Sequence, residues 1–171
     1  NRFLKNILLK LAMLLFFISL FVGGAIYLNY NHKIDYPAAI INKYKRLDSL
    51  KMTAKIIICG GSSSSYSIDS KLLQETFKQP VVNTSLAMSL GSKFHLNLTK
   101  DYLSKGDVIL YIPEYEYYYG KEDGDDFLYT TAFYYPKVVK DFSKKQKDAF
   151  FDKAVRLSTN YYIGALKEKK E

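Results

Sequence analysis

The sequence predicts an α/β domain preceded by a transmembrane helix. Three observations lead to this prediction: an uncharged apolar segment over residues 11–28, three short apolar runs further along the chain, and helical patterns between those runs. The runs cover residues 55–59, 81–82 and 107–112. Buried parallel strands have such continuous apolar sequences because helices cover both faces of their sheet. We therefore expect a partial doubly wound parallel sheet with flanking helices.

The amino-terminal apolar segment predicts a signal-anchor over residues 1–30. At about 1.5 Å rise per residue, residues 11–28 nearly span the roughly 30 Å hydrocarbon core, and residues 7–9 complete the span. Cleaved signal peptides have shorter apolar cores and a small-residue cleavage site, which is not evident here. The short basic amino terminus favours a single-pass protein of the cell inner (cytoplasmic) membrane. Its domain is then extracytoplasmic, and the lipid bilayer is a partner.

The charge of the chain belongs mostly to this anchor and to the segment that follows it. The 171 residues carry a formal net charge of +8, and residues 1–51 hold eight basic but only two acidic side chains. A basic chain can bind nucleic acid, but this distribution beside an apolar span does not favour it, so no nucleic-acid partner is expected. The single cysteine excludes an intramolecular disulfide framework and a cysteine-rich zinc site. No metal or other cofactor is predicted.

Residues 31–52 predict an amphipathic juxtamembrane helix or linker. Asp35 and Pro37 form a helix-start signal. Apolar residues then recur at helical spacing: Ile40, Ile41, Tyr44, Leu47 and Leu50. Two interpretations stay open, a stalk that touches anionic headgroups and a helix that packs on its own domain.

Residues 53–171 predict the α/β domain itself. Asp69 can cap a helix after the first strand, and a second helix around residues 94–103 stops before Gly106. Ser143 and Gln146 form a capping box that opens a last helix. Its predicted apolar side comprises Phe150, Phe151, Ala154, Val155 and Leu157. Only three strands are visible, whereas a doubly wound domain usually has five or more, so we expect a domain incomplete at its carboxyl terminus.

The candidate site lies at the strand ends, because ligands of parallel sheets bind beyond the carboxyl ends of the strands. The first strand runs into Gly60, Gly61 and Ser62, a turn followed by a serine. Three interpretations of this turn stay open: a nucleophile at Ser62, an anion-binding loop, and a plain polar turn. The motif of nucleotide-binding P-loops is absent.

The third strand runs into a segment rich in acids and tyrosines. Glu114 and Glu116 flank Tyr115, and on an extended segment both carboxylates would share one face. They could then act as an acid–base pair or bind a metal, although a solvated strand end is the commoner arrangement. Residues 117–119 are all tyrosine and could line a sugar-binding groove, or else belong to the core or to a partner contact.

Residues 55–119 resemble the SGNH/GDSL hydrolase-like superfamily, and this resemblance implies that the partial doubly wound sheet is of the SGNH/flavodoxin-like type. The first block of that family matches the strand followed by Gly60, Gly61 and Ser62, and the second matches the strand ending in Asn83 with the small-residue loop to Gly91. The chain is most similar to the membrane-anchored bacterial branch, which includes the D-alanyl transfer protein of teichoic acids and exopolysaccharide acetylation proteins. The resemblance implies that Ser62 is a nucleophile that forms an acyl-enzyme, and that Ser89 or Gly91 supplies an oxyanion-hole N–H.

The chain departs from the family pattern at two points. The third block, G-x-N-D, is replaced by Pro113 and Glu114 with the residues after them, so its asparagine is missing. The Asp-x-x-His motif that supplies the base is absent as well. His95 could stand in for that base or be an ordinary helix histidine, while His32 follows the membrane span too closely to be a good candidate. Either the Asp/His pair lies beyond residue 171 or the protein is a non-catalytic relative.

The function expected from the resemblance is that of a membrane-anchored serine esterase or O-acyltransferase acting on a cell-envelope glycan or polymer. A membrane-bound acyltransferase and an envelope polysaccharide are the implied partners. The alternative is a non-catalytic SGNH-like accessory or scaffold subunit of a membrane complex. In this alternative, the protein lacks the Asp/His pair and has no esterase chemistry.

Overall fold

The computed structural model describes residues 2–31 and 36–168. Helix α1 (Arg2–Asn31) is a single continuous helix, and its first 27 residues, Arg2–Leu28, are long and apolar enough to cross a membrane. Most of its side chains are exposed, as a segment that meets lipid requires. His32 and Asp35, which the sequence analysis singled out, lie outside the described residues.

Helix α2 (Ala39–Ser49) follows a short 3₁₀ turn, Tyr36–Ala38. Its apolar face is buried in the core of the domain, through Ile40, Ile41, Tyr44 and Leu47. The helical spacing of these side chains is the one the sequence predicted. Of the two interpretations left open, packing on its own domain is therefore the one that the structure supports.

The sheet has three parallel strands, β1 (Ile56–Gly60), β2 (Val81–Asn83) and β3 (Val108–Ile112). Their order is β2-β1-β3, so the first strand along the chain is central. Ile57 pairs with Val82 on one side and with Ile109 on the other. The predicted α/β class with a parallel sheet is thus confirmed at this coarse level.

Three helices connect the strands. Helices α3 (Ser62–Ser67) and α4 (Ser70–Phe77) follow β1, and α5 (Ser92–Lys100) follows β2 after a 3₁₀ turn, Met88–Leu90. The Asp69 carboxylate caps α4 by accepting from two backbone N–H groups, as predicted. Helix α3 was not predicted, because a run of four serines is more typical of a turn than of a helix.

After β3 the described chain forms helices joined by turns, with no further strand up to residue 168. This part comprises a 3₁₀ segment at Tyr115–Tyr119, helix α6 (Asp126–Tyr134), a second 3₁₀ segment at Pro136–Asp141, and helix α7 (Lys144–Glu168). The predicted capping box opens α7. Gln146 N–H donates to the Ser143 hydroxyl at 3.2 Å, and Ser143 N–H donates to Gln146 Oε1 at 2.8 Å.

The two sides of the sheet differ in burial. Strand β1 is enclosed, with Ile57, Ile58 and Cys59 fully buried, whereas Val108, Ile109 and Leu110 of β3 are each at least 40% exposed. Within residues 2–31 and 36–168, no strand pairs with the outer edge of β3. The apolar run that predicted a buried strand therefore forms an exposed edge here.

Candidate functional site

The carboxyl ends of β1 and β3 meet at Gly61 and Glu114. Gly61 is buried against the Glu114 side chain, and a β-carbon there would lie 2.2 Å from Glu114 Oε1. Only glycine leaves room for this approach. The crossover from β2 to β3 passes over β1, so this contact lies where ligands bind in open parallel sheets.

Glu114 is bonded to Ser63 rather than to Ser62. Its Oε1 accepts from the Ser63 backbone N–H at 3.0 Å and from the Ser63 hydroxyl at 2.8 Å. The carboxylate therefore accepts a hydrogen bond from one of the first N–H groups of α3. Without Glu114, this N–H group could stabilise a developing oxyanion. An anionic ligand at this position would have to displace Glu114.

Ser62 is the first residue of α3 and is exposed. Its hydroxyl has no hydrogen-bond partner within the described part of the chain. The side chain is therefore accessible from solvent, and no basic side chain among the described residues is bonded to it.

Asn83 holds the first two strand ends together. Its Nδ2 donates to the Ser64 carbonyl at 2.9 Å, and its Oδ1 accepts from the Ser85 N–H at 3.0 Å. The Asn83 carbonyl accepts from Lys43 Nζ at 3.0 Å, and burial lowers the pKa of Lys43. Both ends of the Asn83 amide are thus used to position the loops.

The loop after β2 is tied to the chain before α6. Gly91 has φ of +82°, and its N–H donates to the Met88 carbonyl at 2.9 Å. The Ser89 carbonyl accepts from the Asp125 N–H at 2.8 Å. A β-carbon at Gly91 would lie 2.4 Å from the Gly124 nitrogen, so this glycine serves close packing. The N–H of Gly91 is already bonded and is not a free oxyanion donor.

His95 is fully buried on α5. Its Nε2 lies 3.3 Å from the Ala87 carbonyl, which can only accept, so Nε2 carries the proton, while Nδ1 has no partner. Burial lowers the pKa of His95 to about 4, against the opposing effect of the Ala87 hydrogen bond. It makes no hydrogen bond to a serine hydroxyl, so it is not a base for Ser62 in this arrangement.

The acid and tyrosine segment after β3 does not stay extended. Because Tyr115–Tyr119 is a 3₁₀ helix, Glu114 and Glu116 do not share the face that alternation would give them, and Glu116 is exposed. Tyr115 and Tyr119 are exposed and their hydroxyls lie 2.7 Å apart. Tyr117 is buried instead, its hydroxyl has no partner, and burial raises its pKa.

Two residues of this region were missed by the sequence analysis, Ser63 and Lys43. Ser63 pairs with a residue 51 positions away and Lys43 with one 40 positions away. Neither spacing follows from a local pattern. One signal was available for Ser63. Glu114 and Ser63 each follow a predicted strand, and the carboxyl ends of parallel strands meet at the same edge of a sheet.

Among the described residues, no three histidine, cysteine or acidic side chains are grouped to hold a metal ion. A cavity of about 240 Å³ lies between α5 and the beginning of α7, with Phe94 and Phe142 among its lining residues. None of the site residues predicted from the sequence lines it.

Comparison with known proteins adds no assignment. No protein-family model matches this chain, and no curated protein or solved structure is significantly similar to it.

Proposed function

We propose that this protein is a membrane-anchored, SGNH-like serine esterase or O-acyltransferase that acts on a glycan or other polymer of the bacterial cell envelope. The observation that carries the proposal is the position of Ser62, an exposed and unbonded hydroxyl immediately after the central strand of a parallel sheet. Helix α1 would hold the domain at the outer face of the cytoplasmic membrane. A membrane-bound acyltransferase would supply the acyl group.

The strand order supports the finer fold assignment on which this proposal depends. The order β2-β1-β3 is that of the first three strands of a flavodoxin-like doubly wound sheet, whose switch point lies between β1 and β3. The exposed apolar edge of β3 is the surface on which such a sheet would continue. Ser62 and Glu114 flank that switch point.

The proposed chemistry is acyl transfer through Ser62. Its Oγ attacks the carbonyl carbon of an acyl ester, and the serine proton passes through a base to the departing alcohol. The acyl group, now esterified to Ser62, is then transferred to a glycan hydroxyl or to water. The proposal requires a base other than His95, which is buried and bonded to Ala87.

The second candidate function that we propose is that of a non-catalytic accessory subunit. It is supported by His95, which is buried and bonded to the Ala87 carbonyl and is therefore not a base for Ser62. A serine without a neighbouring base is a poor nucleophile at neutral pH. In this alternative the site and the exposed tyrosines Tyr115 and Tyr119 contact a partner of a membrane complex.

Labelling with a fluorophosphonate probe tests between the two functions. The full-length protein in its native membranes is treated with the probe, alongside the variants Ser62→Ala and Ser63→Ala. The two serines are adjacent and both exposed, but only the Ser63 hydroxyl is bonded to Glu114, so the two variants distinguish the free hydroxyl from the bonded one. We expect labelling of the wild type and of Ser63→Ala, and at least a tenfold loss in Ser62→Ala.

Absence of labelling in the wild type would overturn the catalytic proposal and favour the accessory function. Loss in Ser63→Ala alone would assign the nucleophile to Ser63, the serine that is bonded to Glu114. Envelope O-acylation measured in the same strains provides the physiological readout, and it should fall in Ser62→Ala only.

A further inference from the structure

The end of helix α7 packs against the carboxyl-terminal half of the candidate membrane span. The Tyr162 hydroxyl donates to the Phe21 carbonyl at 3.2 Å, and the rings of these two residues lie 5.0 Å apart. Ala25, one helical turn further along α1, is fully buried. The contact is therefore between two helices, one of which is apolar enough to cross a bilayer.

Gly24 lies at this contact. A β-carbon at Gly24 would lie 2.9 Å from the Tyr162 hydroxyl, whereas one at Gly23 would meet nothing within 4 Å. Small residues at a helix contact are the usual means by which membrane helices approach closely. The hydrogen bond and ring contact of the same Tyr162 side chain with Phe21 place the Gly24 side of α1 at this contact.

The beginning of α7 is fixed to the globular domain. Gln146 Nε2 donates to the Asp123 carbonyl at 2.9 Å, and Lys153 Nζ lies 4.7 Å from the centre of the Tyr129 ring. Helix α7 therefore runs from the domain towards α1. Phe21 lies seven residues before the end of the candidate span at Leu28, which is about 10 Å along the helix axis.

The composition of α7 changes along this path. Its charged residues are frequent as far as Arg156, but residues 157–166 contain none. Over residues 157–163 the exposed side chains are Thr159, Asn160 and Ile163. The first two are polar and lie nearer to the domain, whereas Ile163 is apolar, 48% exposed and adjacent to Tyr162, which contacts Phe21. Tyrosines such as Tyr161 and Tyr162 are enriched where a bilayer meets water.

We propose that the carboxyl-terminal part of α7, from Leu157 to Ile163, enters the bilayer beside α1, with Thr159 and Asn160 at the level of the headgroups and Ile163 in contact with lipid acyl chains. This inference rests on the proposed membrane anchoring by α1. If residues 21–25 lie within the bilayer, the part of α7 that is bonded to Phe21 lies at the same depth. A side chain of α7 that is exposed at this depth is then in contact with lipid. The protein would then contact the membrane through two helices, one spanning it and one entering it from the domain.

Single-tryptophan fluorescence tests the proposal, because the chain contains no tryptophan. The variants Phe17→Trp, Ile163→Trp and Met52→Trp place one reporter each on the exposed side of α1, at the end of α7 and on the domain surface. The full-length variants are reconstituted into phosphatidylcholine vesicles with and without brominated acyl chains, which quench tryptophan on contact. We expect quenching at residue 163 to be at least half of that at residue 17, with little at residue 52.

Quenching at residue 17 but not at residue 163 would overturn the inference and leave the anchor intact. Quenching at neither position would overturn the anchoring proposal itself. Gly24→Leu, introduced into the Ile163→Trp protein, should lower the quenching at least twofold, whereas the control Gly23→Leu should leave it unchanged. Equal quenching in both variants would show that α7 does not depend on its contact with α1 and would refute the packing on which the proposal is built.

Discussion

The two ends of the sheet are built differently. At the amino-terminal end, Lys55 and Asp107 form a buried ion pair at 2.7 Å, and Asp107 also accepts from the backbone N–H groups of Lys55 and Ser104. At the carboxyl-terminal end, the buried polar atoms Ser85 Oγ, His95 Nδ1 and Tyr117 Oη have no hydrogen-bond partner. The two ends thus differ in how completely the chain itself pairs the buried polar atoms.

This contrast is expected from the energetics of buried polar groups. An unpartnered buried donor or acceptor costs about 1–3 kcal/mol, so a fold tolerates several of them only where other contacts compensate. At the amino-terminal end, burial by itself would raise the pKa of Asp107, but hydrogen bonds from Lys55 and Ser104 outweigh it and the net pKa is lowered. We therefore expect the paired amino-terminal end to contribute more to stability than the carboxyl-terminal end, where the proposed site lies.

The largest expected effect follows from breaking the buried pair. Asp107→Asn leaves the Lys55 ammonium buried without its counter-charge, which should lower the free energy of unfolding by about 3–5 kcal/mol. Chemical denaturation of the detergent-solubilised protein, followed by circular dichroism, measures this change. The double variant Lys55→Met/Asp107→Asn should recover most of the loss, because no charge then remains buried and the amide oxygen at position 107 can still accept from a backbone N–H group. An equal loss in the single and double variants would contradict the assignment.

Acidification should weaken the carboxyl-terminal end through His95. Because its pKa in the folded protein is lowered to about 4, the unfolded chain takes up the proton first as the pH falls below about 6.5. Above that pH, His95 is neutral in both states and the free energy of unfolding has its full value. Between about pH 6.5 and 4, the free energy of unfolding falls by roughly 2–4 kcal/mol. Denaturation across this range measures the slope.

The variant His95→Gln serves as the control for this pH dependence. It keeps a donor for the Ala87 carbonyl but cannot titrate, so its stability should vary less over the same interval. A slope unchanged from the wild type would show that another group is responsible.

A smaller effect is expected at Glu114. Glu114→Ala removes the acceptor of both Ser63 hydrogen bonds, and since this site is open to water the loss should be about 1 kcal/mol. Glu116→Ala is the matched control: Glu116 is exposed and makes no hydrogen bond to a described residue, so its removal should change stability by less than about 0.5 kcal/mol. Equal effects of the two substitutions would refute the role given to Glu114.

The smallest structural effect is expected at the proposed nucleophile. Ser62→Ala removes an exposed hydroxyl without a partner, so the free energy of unfolding should change by less than about 0.5 kcal/mol. Thermal unfolding of the variant checks this expectation. A large loss of stability would show that Ser62 is structural, and the loss of probe labelling could then not be assigned to chemistry.

The sequence by itself determined the local features of this protein. The apolar α1, the three parallel strands, the Asp69 cap and the Ser143–Gln146 capping box all follow from patterns within one element. Such patterns are readable because hydrogen bonding and burial within a helix or strand repeat with a fixed period.

Only the tertiary structure decided which of these elements share a site. The contacts Ser63–Glu114, Lys43–Asn83 and Lys55–Asp107 join residues 40 to 52 positions apart, and no periodicity specifies them. Similarly, the apolar pattern of α7 placed Phe151 beside Phe150, but the structure buries only Phe150. The reason is physical: a pattern fixes which side of an element is apolar, whereas burial depends on how much of that side the neighbouring elements cover.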